Sequence, residues 1–134
     1  MRKGDTKIHL VAAGLILNKD KTKVLLIKRS DKFWGDKWSF PGGHIELHEH
    51  STETIRRELK EELDLKIIST ELLEVQEIVK NNFHLVSFIY IVIAEDYFKT
   101  GDKEFDDVEW INVSEIDNTP CQLSDKIREY LKSL

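Results

Sequence analysis

The sequence predicts an α+β sandwich, and three observations carry that prediction. Apolar and β-branched runs of strand length lie on both sides of one strongly patterned helical segment. That segment repeats apolar residues at i, i+4 and i+8, and a second amphipathic segment closes the chain. Strands before and after a central helix, with another helix at the end, pack as layers of both kinds. A chain of 134 residues with 40% hydrophobic content can bury one core and is short for two, so residues 1–134 are expected to form a single domain.

Taken in order, residues 7–17 (KIHLVAAGLIL) read as a long strand ended by a turn cluster that starts at Asn18. Val24 to Lys28 reads as a strand returning beside it. After Arg29 comes a polar loop with Phe33 and Trp34. Residues 38–40 (WSF) form a short extended segment, because the residue before Pro41 is pushed out of the helical region. That segment feeds a loop containing Gly42 and Gly43. Residues 67–79 and 84–94 read as a strand pair around Lys80, Asn81 and Asn82, and the second of them, the most apolar run in the chain, is expected to be central. Trp110 and Ile111 begin a last short strand, Val113 to Ile116 make a turn or helical turn, and Ser124 to Leu131 is helical with Ile127, Tyr130 and Leu131 on one side. Periodicity does not fix how the strands are ordered.

Composition excludes several classes of function. A formal net charge of −5 argues against a broad basic surface for nucleic acid. A single cysteine, Cys121, excludes an intrachain disulfide and reads as an inert thiol. The first ten residues lack the apolar core of a signal peptide, and no run approaches 18 apolar residues, so no membrane partner is expected and a cytoplasmic location is.

The chemistry concentrates between Pro41 and Leu65. At about 100° per residue, setting Glu58 at zero puts Glu62 near +40° and Glu61 near −60°. Ile55, Leu59 and Leu63 form the apolar stripe beside Glu62, while Glu53, Arg56 and Lys60 fall on the far side. An acid facing another acid at i+4, as Glu58 faces Glu62, is mildly destabilising in an isolated helix. Three carboxylates flanking a buried stripe, without the usual i+4 pairing to Lys or Arg, suit a hard divalent ion, Mg²⁺ or Mn²⁺. The alternative is a solvated charged helix. His44, His48 and His50 raise a zinc site, but they lie on an irregular loop without thiols or helical spacing.

Five residues separate Gly43 from Glu49, seven more lead to Arg57, and Glu58, Leu59, Lys60, Glu61, Glu62, Leu63, Asp64 and Leu65 follow. This spacing resembles the signature of the Nudix hydrolases, a loop-helix-loop that binds metal and a nucleotide's diphosphate. The wording PGGHIE is similar to that of the MutT-like branch. Two positions depart from the pattern: Asp64, where the family usually has Gly, and His48, where it often does. Asp64 follows the helix, where a left-handed turn is common and Asp is better tolerated than most residues.

The resemblance implies a mixed β-sheet sandwiched between α-helices, with the signature helix against one face. It implies Glu58, Glu61 and Glu62 as the core metal-binding acids, the Gly42 carbonyl as a backbone ligand, and Glu49 as support for the metal cluster. Glu58 serves as base or metal ligand, Glu61 also stands near the chemistry, and Arg57 holds Glu58 through a charge-assisted hydrogen bond. A further metal-binding acid is expected from Glu104, Asp106, Asp107 or Glu109, with Glu104 favoured among them, and the alternative is that the whole cluster is a solvated acidic loop. Arg29, Trp34, Trp38 and Gly43 are the candidate substrate-binding residues, the aromatic ones either stacking on a base or packing in the core. The implied reaction is Mg²⁺-dependent hydrolysis of a nucleoside triphosphate to the monophosphate and pyrophosphate. Dinucleoside polyphosphates or nucleotide sugars are the alternative substrates, and a weakly catalytic nucleotide-sensing module is the alternative class. The partner is a small-molecule nucleotide, without stable nucleic-acid binding, and a homodimer is compatible with the sequence.

Overall fold

The computed structural model describes residues 7–28, 37–100 and 106–134. Strands β1 (Ile8–Leu17), β2 (Lys23–Lys28), β3 (Trp38–Ser39) and β4 (Gly42–His44) precede helix α1 (Ser51–Leu63). Strands β5 (Ile67–Lys80), β6 (Phe83–Ala94) and β7 (Asp107–Asn112) follow, then a 3-10 helix (Val113–Asn118) and helix α2 (Asp125–Lys132).

The described strands form one mixed sheet. β6 lies between β1, to which it is parallel along its length, and β5, to which it is antiparallel. The other edge of β1 is shared: Val11 to Ala13 pair with β4, and Ile16 and Leu17 pair with β2. β7 then runs antiparallel to β2. The segment of Gly42 and Gly43, expected as a loop, is therefore strand β4. At Gly42 the reason is steric, since a β-carbon there would lie 2.0 Å from the Ala12 carbonyl oxygen, and only glycine lets the backbone approach β1 this closely. The last strand starts earlier than Trp110, because the whole of Asp107–Asn112 finds partners on β2.

Alternation along the central strands divides the core into two layers. Ala12 and Ile16 of β1 and Tyr90, Val92 and Ala94 of β6 meet Ile55, Leu59 and Leu63 of α1. Leu15 and Leu17 of β1 and Ile89 and Ile91 of β6 meet Ile116, Ile127 and Leu131. Both faces are covered, which explains why β6 reads as a nearly continuous apolar run rather than an alternating one. Each fully buried leucine or isoleucine on α1 contributes about 1.5–3 kcal/mol by leaving water.

Local signals set the ends of the elements. The Asn18 side-chain oxygen accepts from the N–H groups of Thr22 and Lys23 at 2.9 and 3.0 Å, closing the β1–β2 turn. Asn81 takes φ 42° in the β5–β6 hairpin, a conformation that asparagine tolerates. At the start of α1 the Glu53 carboxylate accepts from the His50 N–H at 3.0 Å, and Ser124 caps α2 by accepting from the Ile127 N–H at 3.1 Å. No helix among the described residues is long and apolar enough to cross a membrane.

Candidate active site

Helix α1 holds its acids at graded depth. Glu62 is 5% exposed beside the apolar stripe, whereas the side chain of Glu58 is 15% exposed and that of Glu61 is 61% exposed. The three therefore span the boundary between core and solvent. Among the described residues no group of three or more His, Cys, Asp or Glu side chains converges as a ready metal cage, for the acids or for the loop histidines.

Arg57 gathers the acids instead. Its Nε donates to Glu49 Oε2 at 2.7 Å and its Nη2 to Glu49 Oε1 at 3.0 Å, a two-pronged bond that matches the guanidinium fork to the carboxylate. Nη1 donates to Glu58 Oε1 at 2.8 Å and lies 3.5 Å from Glu61 Oε2, and Nη2 also reaches the His44 carbonyl at 3.1 Å. Besides the bond to Glu58 that the resemblance implied, Arg57 thus also reaches Glu49 and Glu61. Arg57 sits one residue before Glu58 and one turn before Glu61, an order of sign that a search for a base at i+4 passes over.

Glu49 is held from three sides. Besides Arg57 it accepts from the buried Thr54 hydroxyl at 2.6 Å and from the Glu46 N–H at 3.1 Å. Arg57, then Thr54, then the Glu46 backbone bring its pKa down to about 2. The same bonds, Glu49 foremost, raise Arg57 well above an ordinary guanidinium. Thr54 is the residue in this cluster that the sequence reading passes over. Its signal is position alone: a small hydroxyl on the buried side of the helix, one residue before Ile55.

Gly43 forms the floor beneath Glu58. A β-carbon there would lie 2.3 Å from Glu58 Cδ and 2.4 Å from Oε1, so the missing side chain makes room for the carboxylate against the backbone of β4. On the other side Gly42 and Gly43 line a cavity of about 310 Å³, walled by Trp38, Phe40 and the apolar face of β1, β5 and β6. Strand β4 is thus shared between the acids and the cavity. His44 lies at the cavity edge with its Nε2 3.3 Å from His9 Nδ1. Trp38 lines the cavity and carries the Lys28 ammonium 5.7 Å from its ring centre.

Arg29, Phe33, Trp34 and Glu104 lie outside the described residues, while Asp107 and Glu109 sit on β7, beyond β2 from β1. The Cys121 thiol is pushed up to about 12 by burial and holds its proton. Both departures from the signature take positive φ, 48° at Asp64 and 69° at His48. Asp64 closes α1 with its N–H on the Lys60 carbonyl at 3.0 Å, and its carboxylate accepts from Lys60 Nζ at 3.0 Å.

Comparison with known proteins agrees with this fold. The NUDIX domain model matches residues 8–133. The uncharacterised Nudix hydrolase YvcI of Bacillus subtilis is 31% identical over 108 residues, 77% of this chain and 66% of that protein. An 8-oxo-dGTP diphosphatase of Haemophilus influenzae is 28% identical over 116 residues, 84% of this chain and 82% of its own length. A crystal structure of a MutT NUDIX hydrolase from Burkholderia pseudomallei superposes with a TM-score of 0.75 at 22% identity, covering 96% of this chain and 98% of that one. With the matched model spanning nearly all of the sheet and both helices, the chain belongs to the Nudix hydrolase family.

Proposed function

We propose that the protein hydrolyses a nucleoside triphosphate, normal or modified, to the monophosphate and pyrophosphate. The observation that carries the reading is the shared strand β4, which sets an apolar, aromatic-walled cavity against the carboxylate of Glu58. The first wall suits a base and the second suits the phosphates. Named 8-oxo-dGTP diphosphatases among the relatives support the same reaction type.

A phosphoanhydride resists water because its own negative charge repels the nucleophile. The residues fit a hard divalent ion: every donor is oxygen, and the missing Gly43 side chain leaves a carboxylate pressed against backbone. Glu58, Glu61, Glu62 and the Gly42 carbonyl would hold Mg²⁺ or Mn²⁺, with Glu104 as the further acid. Bound there, such an ion supplies charge neutralisation of the diphosphate and a more acidic water. Arg57 fixes the Glu58 carboxylate, and Glu49 and Thr54 fix Arg57, so that Glu58 is presented in one orientation either to a ligand or to a proton. Trp38 and Gly43 border the bound nucleotide, and Arg29 and Trp34 belong to the same proposed contact set.

The test is a panel of normal and oxidised nucleoside triphosphates, dinucleoside polyphosphates and nucleotide sugars with Mg²⁺, reading pyrophosphate and phosphate separately. Pyrophosphate release from a triphosphate is expected. Turnover confined to dinucleoside polyphosphates or nucleotide sugars would move the substrate class, and binding without turnover would make the chain a sensing module.

A further inference from the structure

Gln76 on β5 lies opposite Ser87 on β6, and both line the cavity beside Gly42 and Gly43. Ser87 is buried, and Val11, Ile78, Leu85 and Ile89 supply apolar wall beside the pair, with His9 and Gln122 also lining the cavity. An amide can offer a ligand either its carbonyl or its amino end. What holds one end decides which end is offered.

Here the holding group is Glu74. Gln76 Nε2 lies 3.1 Å from Glu74 Oε2, and the same oxygen accepts from the Ser124 hydroxyl. Ser124 has its own direction imposed, because its oxygen accepts from the Ile127 N–H at the start of α2, leaving its proton for Glu74. A carboxylate oxygen accepts, so the amide atom facing it is the amino group. Turning the amide over would set two acceptors 3.1 Å apart, without a proton between them. With the amino group held on Glu74, the carbonyl is the end that Gln76 has left to turn towards the cavity it lines.

We infer that Gln76 is a specificity-determining residue whose carbonyl, oriented by Ser124 through Glu74, selects nucleobases that present an N–H or NH₂ donor to this wall. The inference rests on the proposed nucleotide reading and narrows it. A base edge carrying only acceptors would set its lone pairs against the Gln76 oxygen, and that pair of facing acceptors would forgo the hydrogen bonds both had with water. Discrimination of this kind comes from the buried group left unpaired more than from the bond gained. Glu74 and Ser124 act as positioning residues, since neither needs to touch the base.

Binding separates this from hydrolysis. Guanosine, adenosine and inosine monophosphates, all with N–H or NH₂ donors, would be compared by calorimetry with purine riboside monophosphate, whose unsubstituted base carries only acceptors. No metal is added. The wild-type chain should bind at least one donor-bearing nucleotide about fivefold or more tightly than the purine compound. Gln76→Leu should bring the ratio to within about twofold by weakening the donor-bearing ligand. Glu74→Ala, which keeps Gln76 and removes what orients it, should reduce the ratio while Ser124 still caps α2, and it serves as a second test if Gln76→Leu folds poorly. A wild-type ratio near one, an absence of binding to all four, or an unchanged ratio in a folded variant would overturn the inference. Preserved pyrophosphate release with the ratio lost would defeat it alone, whereas the expected ratios without hydrolysis of any triphosphate would defeat the catalytic reading alone.

Discussion

Glu53 makes the acids of α1 testable one by one. It is exposed on the far side of the helix, and the hydrogen bond its carboxylate accepts from the His50 N–H is one that glutamine also accepts in a capping box. Glu→Gln at Glu58, Glu61 and Glu62 should each lower kcat/KM at least about tenfold, roughly 1.4 kcal/mol of transition-state stabilisation, while Glu53→Gln stays near wild type. Loss recovered at higher Mg²⁺ marks a ligand, and loss persisting at saturation marks a base or positioner, the outcome expected for Glu58. Near-wild-type turnover in all four would leave the helix a charged face only. The two positive-φ residues invite the opposite kind of change. His48→Gly should stabilise by up to about 1 kcal/mol, the conformational relief being partly offset by a freer unfolded chain. Asp64→Gly should gain less, because aspartate already tolerates this region and the exposed Lys60 pair, worth a few tenths of a kcal/mol, is lost. Thermal melts decide both, and a fall in Tm for either variant would show that its side chain compensates its backbone.

Helix α1 is held to the sheet by its apolar stripe and to the preceding loop by Glu49. Leu59 is fully buried between Ile55 and Leu63, so Leu59→Ala should cost about 2–5 kcal/mol in denaturant unfolding; a cost under 1 kcal/mol would mean that the helix collapses onto the gap. The loop contact carries a pH signature. Glu49 has its pKa lowered from 4.5 to about 2 by Arg57 and Thr54, so the folded chain binds its proton less readily than the unfolded chain does. The resulting stability is complete above about pH 4.5 and is lost as pH falls towards 2. Glu49→Gln should therefore flatten the acid limb of the stability curve across that window. An unchanged limb would place the acid sensitivity elsewhere.

The sheet as a whole brings together what the chain keeps apart. Its two faces are covered by α1 and α2, and β4 inserts its glycines between the acids of one side and the cavity of the other. Catalysis that depends on a divalent ion at this junction should vanish on rigorous chelation and return with Mg²⁺, and at fixed metal should rise towards alkaline pH as the attacking water or its base loses a proton. Undiminished turnover after chelation would remove the metal from the reaction.

Much of this was legible in the order of residues because it depends on local rules. The stripe of Ile55, Leu59 and Leu63 follows from helical spacing, the bend at Asp64 from where a helix must stop, and the central place of β6 from a run too apolar to face water. The spacing from Gly43 to Leu65 carried the family resemblance. Pairings distant in sequence were not legible in the same way. That β4 is a strand depends on Ala12 approaching Gly42, and that Glu49 is strongly acidic depends on Thr54 and Arg57 closing around it. That Gln76 offers a carbonyl depends on a serine at the start of α2 reaching Glu74 on β5. Period and propensity act over a few residues, whereas hydrogen-bond direction and steric room are set by whichever distant segment the fold places there, and only the packed chain decides that.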